Sequence, residues 1–121
     1  MPMALTLYGI RNCDTVKKAR AWLDSHGVEY RFHDYKVNGV EQQLLEDWCR
    51  EIGWESVLNR KGTTYRKLDP ALTQNLNAKA AIALMLAHPS AIRRPLITGA
   101  GPLMIGFDPD EYELRHRGKP G

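Results

Sequence analysis

Hydrophobic and polar positions alternate with two different periods along this chain, and the switches mark its elements. Leu5-Thr6-Leu7-Tyr8 reads as a short buried strand. From about Cys13 to Ser25, Val16, Ala19 and Leu23 recur at helical spacing with Trp22 beside them, and Gly27 is placed to stop that helix. Val28 to Tyr35 returns to alternation, with Val28, Tyr30 and Phe32 on one side. Strand, helix, strand with so short a crossover predicts a parallel, right-handed βαβ unit.

Asn38-Gly39 predicts a turn. Val40 to Ile52 is a second amphipathic helix with Leu44, Leu45, Trp48 and Ile52 on its apolar face and Cys49 at the border. Ser56 to Leu58 begins another helical turn, and Asn59 to Lys67 has no apolar period and reads as loop. Asn77 to Ala87 is a third helix with Asn77 as N-cap, and His88-Pro89 stops it. Ile92 to Thr98 and Leu103 to Ile105, joined by Gly99-Ala100-Gly101-Pro102, predict a β-hairpin. Asp108-Pro109 opens a helix with acidic residues through Glu113, and the tail from Arg115 to Gly121 is polar and expected to fray. The expected fold is α/β, one domain over residues 1–121, with a sheet of about four strands and a helical insertion at about 38–90.

With 121 residues, 43% hydrophobic and 26% charged, the chain is long enough for one core and too well supplied with apolar residues for disorder. No apolar run approaches the ~20 residues of a membrane span, and the N-terminus has no signal-peptide pattern. A cytoplasmic protein without membrane contact is expected. Two cysteines make neither a disulfide scaffold nor a zinc site, so no metal is expected. The net charge of +3 is uneven: residues 59 to 98 carry seven basic side chains and one acidic one, which points to an anionic partner. No aromatic-interleaved basic stripe points to nucleic acid.

Cys13 carries the chemistry. It stands where a strand and a short loop give way to a helix, with Arg11 two residues earlier. A helix N-terminus holds roughly +0.5 of an elementary charge and unpaired N–H groups, and both favour the nucleophilic thiolate. Position 16 is Val, which excludes a Cys-x-x-Cys dithiol, and a Cys-x5-Arg phosphatase loop fails because five intervening residues after Cys13 lead to Ala19 and not to an arginine. What remains is a monothiol cycle in which an outside thiol resolves the intermediate. Arg11 is a candidate for stabilising the thiolate or, equally, a solvated loop residue. Lys17 and Lys18 read as solvated, Cys49 as a buried structural thiol, and Trp22, Trp48 and Trp54 as packing. His26, His33, His88 and His116 have no chemical partner in sequence. Read from the residues alone, Pro95 is a trans proline on an edge strand, with a cis bond the alternative at a cost of ~0.5–1 kcal/mol.

Strand, loop, cysteine at a helix start and a later proline before a hairpin resemble the thioredoxin superfamily. Tyr8-Gly9-Ile10-Arg11-Asn12-Cys13-Asp14-Thr15-Val16-Lys17-Lys18-Ala19, Asn59-Arg60-Lys61-Gly62 and Ile92-Arg93-Arg94-Pro95-Leu96 are more closely similar to the arsenate reductase-like (ArsC/Spx) family. The Cys-Asp-Thr-Val-Lys-Lys-Ala string with Gly106-Phe107 resembles its YffB branch. The resemblance implies a thioredoxin-like four-stranded mixed sheet with an inserted helical subdomain. It also implies a glutathione-dependent thiol–disulfide oxidoreductase with Cys13 as nucleophile, Arg60 and Arg94 as anion clamps, and backbone beside Pro95 that pairs with the peptide. Glutathione is then the co-substrate, glutaredoxin or thiol-containing proteins the partners, and a monomer the expected state. Two positions depart from the arsenate-reductase pattern: its third arginine falls near Gly106-Phe107, and its upstream histidine at Gly9. Arsenate reductase is one alternative; a Spx-like regulator on RNA polymerase is another, although Val16 removes the Spx redox pair.

Overall fold

A computed structural model describes residues 5–116. In chain order it contains β1 (Leu5–Gly9), α1 (Asp14–Ser25), β2 (Tyr30–Asp34), α2 (Tyr35–Asn38), α3 (Gln42–Ile52), α4 (Trp54–Val57), α5 (Thr63–Arg66) and α6 (Pro70–Thr73). There follow α7 (Ala78–Ala87), a 3₁₀ turn (Pro89–Ala91), β3 (Leu96–Thr98), β4 (Met104–Ile105) and α8 (Pro109–His116). The described residues form two compact units, residues 5–34 with 94–116, and residues 35–93.

The first unit holds the sheet, ordered β2-β1-β3-β4. β1 runs parallel to β2, with Gly9 opposite Asp34, and antiparallel to β3, with Tyr8 opposite Leu96. β3 and β4 form the expected hairpin. The sheet is therefore mixed and four-stranded, as the resemblance implied. The apolar face of α1 is the one its spacing predicts, since Val16, Ala19 and Leu23 are all buried. They join Leu5, Leu7, Ile97, Ala100, Met104 and Tyr112 in one cluster, each large aliphatic side chain contributing about 1.5–3 kcal/mol. Tyr30 and Phe32 of β2, with Val28 just ahead of the strand, pack against the same cluster.

Gly9 needs its missing side chain. A Cβ there would stand 2.8 Å from Cγ2 of the buried, β-branched Val16. Gly9→Ala is therefore expected to destabilise the protein by about 1–3 kcal/mol in denaturant melts. In a double-mutant cycle Val16→Ala should recover part of that loss, because it removes the atoms in the way.

The second unit is helical. α3 buries Leu45 and Trp48 and packs against α4 and α7, while Asn77 caps α7 by accepting the Ala80 N–H at 2.8 Å. The Tyr35 hydroxyl donates to the Ile92 carbonyl at 2.9 Å and ties together the two ends of this unit.

Three expectations are corrected. The stretch 59–67 is not all loop: Thr63–Arg66 is helical behind an N-cap at Gly62. One turn is too short to display a period. Pro70–Thr73 is also helical, with Asp69 accepting the Ala71 N–H, a short capped turn that the pattern does not reveal. The segment 92–98 is strand only at Leu96–Thr98. Of the tail expected from Arg115, residues 117–121 lie outside the described residues, while Arg115 and His116 still belong to α8.

Candidate active site

β1 leaves the sheet at Gly9, and four residues carry the chain to α1. Ile10 is buried, Arg11 and Asn12 turn, and Cys13 takes the N-cap position in extended conformation (φ −135°, ψ 125°). The Cys13 carbonyl accepts the Lys17 N–H at 2.9 Å, which starts the helix. Its sulfur makes no capping hydrogen bond, so the first-turn N–H groups carry no side-chain cap, an arrangement that welcomes an anion. Cys13 is half-buried, resting against the core cluster while still reachable. Lys17 is exposed, and its Nζ lies 3.5 Å from Asn12 Oδ1 across the loop.

The Arg11 side chain is exposed, but its backbone is held: its N–H donates to Asp34 Oδ2 at 3.1 Å. Asp34 is buried. Periodicity does not single it out, although an acid closing an alternating strand directly before Tyr35 is a visible irregularity.

Arg94 and Pro95 lead into β3. Because Tyr8 opposite Leu96 ends that ladder, they stand at the end of the sheet where β1 gives way to the Cys13 loop. Arg94 is half-buried and Pro95 buried, and the bond between them is cis. β3 is an interior strand, so the trans edge-strand reading of Pro95 is corrected. Proline is tolerated here because it precedes the first ladder residue and its missing N–H costs no ladder bond. The Pro95 carbonyl accepts the Gly106 N–H at 2.8 Å. At Gly106-Phe107, where the resemblance sets the arsenate reductases' third arginine, Phe107 packs edge-on against Tyr112 at 5.0 Å, and Tyr112 in turn donates to the Gly106 carbonyl at 3.0 Å. Burial, with a smaller contribution from Glu111, pushes the Tyr112 hydroxyl well above its ordinary range.

Arg60 belongs to the helical unit. Its guanidinium lies over the Trp54 ring at 5.6 Å, and its loop is shaped by Asn59, whose side chain accepts the Lys61 N–H at 3.2 Å. Trp54 thus does more than pack. Cys49 is half-buried rather than fully buried, and burial pushes its thiol up, away from the thiolate form. Among the histidines, His26 stacks on Trp22 at 3.8 Å and His33 tilts against Tyr8 at 5.2 Å. Among the described residues, no group of three or more His, Cys, Asp or Glu is placed to hold a metal, and no helix is long and apolar enough to cross a membrane.

Three proteins show what the chain is similar to. A solved structure named YFFB protein superposes with a TM-score of 0.89 at 53% identity, covering 93% of this chain and 98% of the other. An uncharacterised protein of Haemophilus influenzae is 39% identical over 90% of this chain and 96% of its own length. The global transcriptional regulator Spx of a Streptococcus pyogenes strain is 30% identical over 88% of this chain and 81% of its own. The model of the ArsC family matches residues 8–114. The chain belongs to the ArsC family and has its thioredoxin-like fold, of the kind that thiol oxidoreductases use.

Proposed function

We propose that this protein is a monothiol, glutathione-dependent thiol–disulfide oxidoreductase with Cys13 as nucleophile. The observation that carries this is a half-buried, reachable thiol at the N-cap of a 12-residue helix, with buried Val16 where a dithiol enzyme would place its second cysteine. The Cys13 thiolate attacks the glutathione sulfur of a mixed disulfide; that S–S bond breaks and the partner thiolate leaves, taking a proton from water. A second glutathione thiolate then attacks the Cys13 mixed disulfide, releasing oxidised glutathione and restoring the Cys13 thiolate. Arg94, at the same sheet end, is one carboxylate clamp. Arg60 is the second, on the resemblance of its loop to the family pattern. The backbone at Pro95 is the peptide-pairing segment. Arg11, exposed and two residues before Cys13, is the candidate for adding positive charge to this loop. Glutaredoxin and thiol-containing proteins are the natural partners of such a cycle.

Turnover of a small glutathione mixed disulfide, followed by formation of oxidised glutathione, tests this reading. Arg94→Ala and Arg60→Ala are each expected to raise the half-saturating glutathione concentration by about tenfold or more, since a charge-assisted bond contributes about 1.5–3 kcal/mol. Unchanged saturation in both variants would contradict the clamp assignment, and absence of turnover in the parent protein would contradict the function.

Membership of the ArsC family favours arsenate reduction as a second reading. Phe107, packed against Tyr112, supplies no third cation, so arsenate is expected to be reduced weakly or not at all in a glutathione- and glutaredoxin-coupled assay. The Spx relative favours a regulator reading. Co-purification with polymerase subunits that survives Cys13→Ser would support it over the enzyme.

A further inference from the structure

We infer that Asp34 is a positioning residue for the nucleophile, acting through the backbone of Arg11. Asp34 is only 7% exposed, and burying a carboxylate is costly unless hydrogen bonds hold it. Part of the compensation is the Arg11 N–H at 3.1 Å, a charge-assisted bond. Arg11 lies between strand and helix, so no ladder or helical turn supplies an acceptor for its amide.

The placement follows from the register. Gly9 and Asp34 are opposite each other at the last step of the β1–β2 ladder, so the carboxylate stands where the Cys13 loop departs. The loop is then anchored at three successive points: buried Ile10, the Arg11 N–H on Asp34, and the Cys13 carbonyl on the Lys17 N–H. Because the Cys13 sulfur makes no cap bond of its own, the sulfur's position depends on this backbone. Thiol–disulfide exchange needs the attacking sulfur in line with the bond that breaks, and a displacement of about 1 Å can cost on the order of a hundredfold in rate. The inference rests on the oxidoreductase reading, in which Cys13 attacks a disulfide.

The test compares Asp34→Ala, which removes the acceptor, with Asp34→Asn, which keeps an amide oxygen there. The rate of Cys13 attack is read with oxidised glutathione and, separately, with a small aromatic disulfide, in protein whose fold is checked by circular dichroism. Asp34→Ala should slow both reactions by about tenfold or more, while Asp34→Asn stays within about threefold of the parent. Equal rates in Asp34→Ala and the parent, or equal slowing in both variants, would overturn the role of Asp34. Parent protein that reacts with the aromatic disulfide but not with glutathione would overturn the glutathione reading alone. Should Asp34→Ala fail to fold, hydrogen exchange of the Arg11 amide in the parent decides: protection is expected, and exchange at the rate of an open loop would overturn the inference.

Discussion

Cys13→Ser is expected to abolish glutathione-dependent turnover, whereas Cys49→Ser retains it. The contrast follows from the two environments. Cys13 is half-buried at the N-cap of α1, where the helix end favours a negative charge and the first-turn N–H groups carry no side-chain cap. Cys49 lies near the end of α3, and burial pushes its thiol toward the neutral form, which is a poor nucleophile. Serine is close in size, so the loss would be chemical rather than structural. A hydroxyl cannot form the mixed disulfide, and the residual rate should fall to that of glutathione alone. Retained turnover in Cys13→Ser, or its loss in Cys49→Ser with the fold intact, would reverse the assignment.

The largest effect on stability is expected at Tyr112. Its ring is fully buried and meets Trp22 and Phe107 edge-on at 5.4 Å and 5.0 Å, and its hydroxyl holds the Gly106 carbonyl. Tyr112→Ala should cost about 3–5 kcal/mol, the range for deleting a buried aromatic side chain. Tyr112→Phe keeps the packing and should cost only about 0.5–1.5 kcal/mol for the hydrogen bond. The same burial gives a pH signature. The folded hydroxyl titrates above its unfolded value of about 10, so the folded state holds its proton longer. That contribution is fully present below about pH 10 and is lost as pH rises beyond it, a loss that Tyr112→Phe should abolish. Urea melts at neutral and alkaline pH measure both effects.

The parts visible in the sequence are those set by period and by local chemistry. Val16, Ala19 and Leu23 announce the buried face of α1, and Asn77 and Asp108 announce helix starts, because each effect acts within a few residues. Cys13 is legible for the same reason. Asp34 is not, because its partner Arg11 lies 23 residues away and only the β1–β2 register brings them together. Tyr112 reads as one aromatic in an acidic helix, and its packing on Trp22 requires the third dimension. The Thr63–Arg66 and Pro70–Thr73 turns escape notice because four residues cannot display a 3.6-residue period. Pro95 is misread because edge and interior strands cannot be told apart until the sheet order is known.

The central claim is that one sulfur, at the start of α1, takes up glutathione. Peptide mapping of the full chain after reaction with oxidised glutathione tests it most directly. One glutathione per chain on the peptide that contains Cys13 is the expected result; glutathione on the Cys49 peptide, or none on either, would contradict the account.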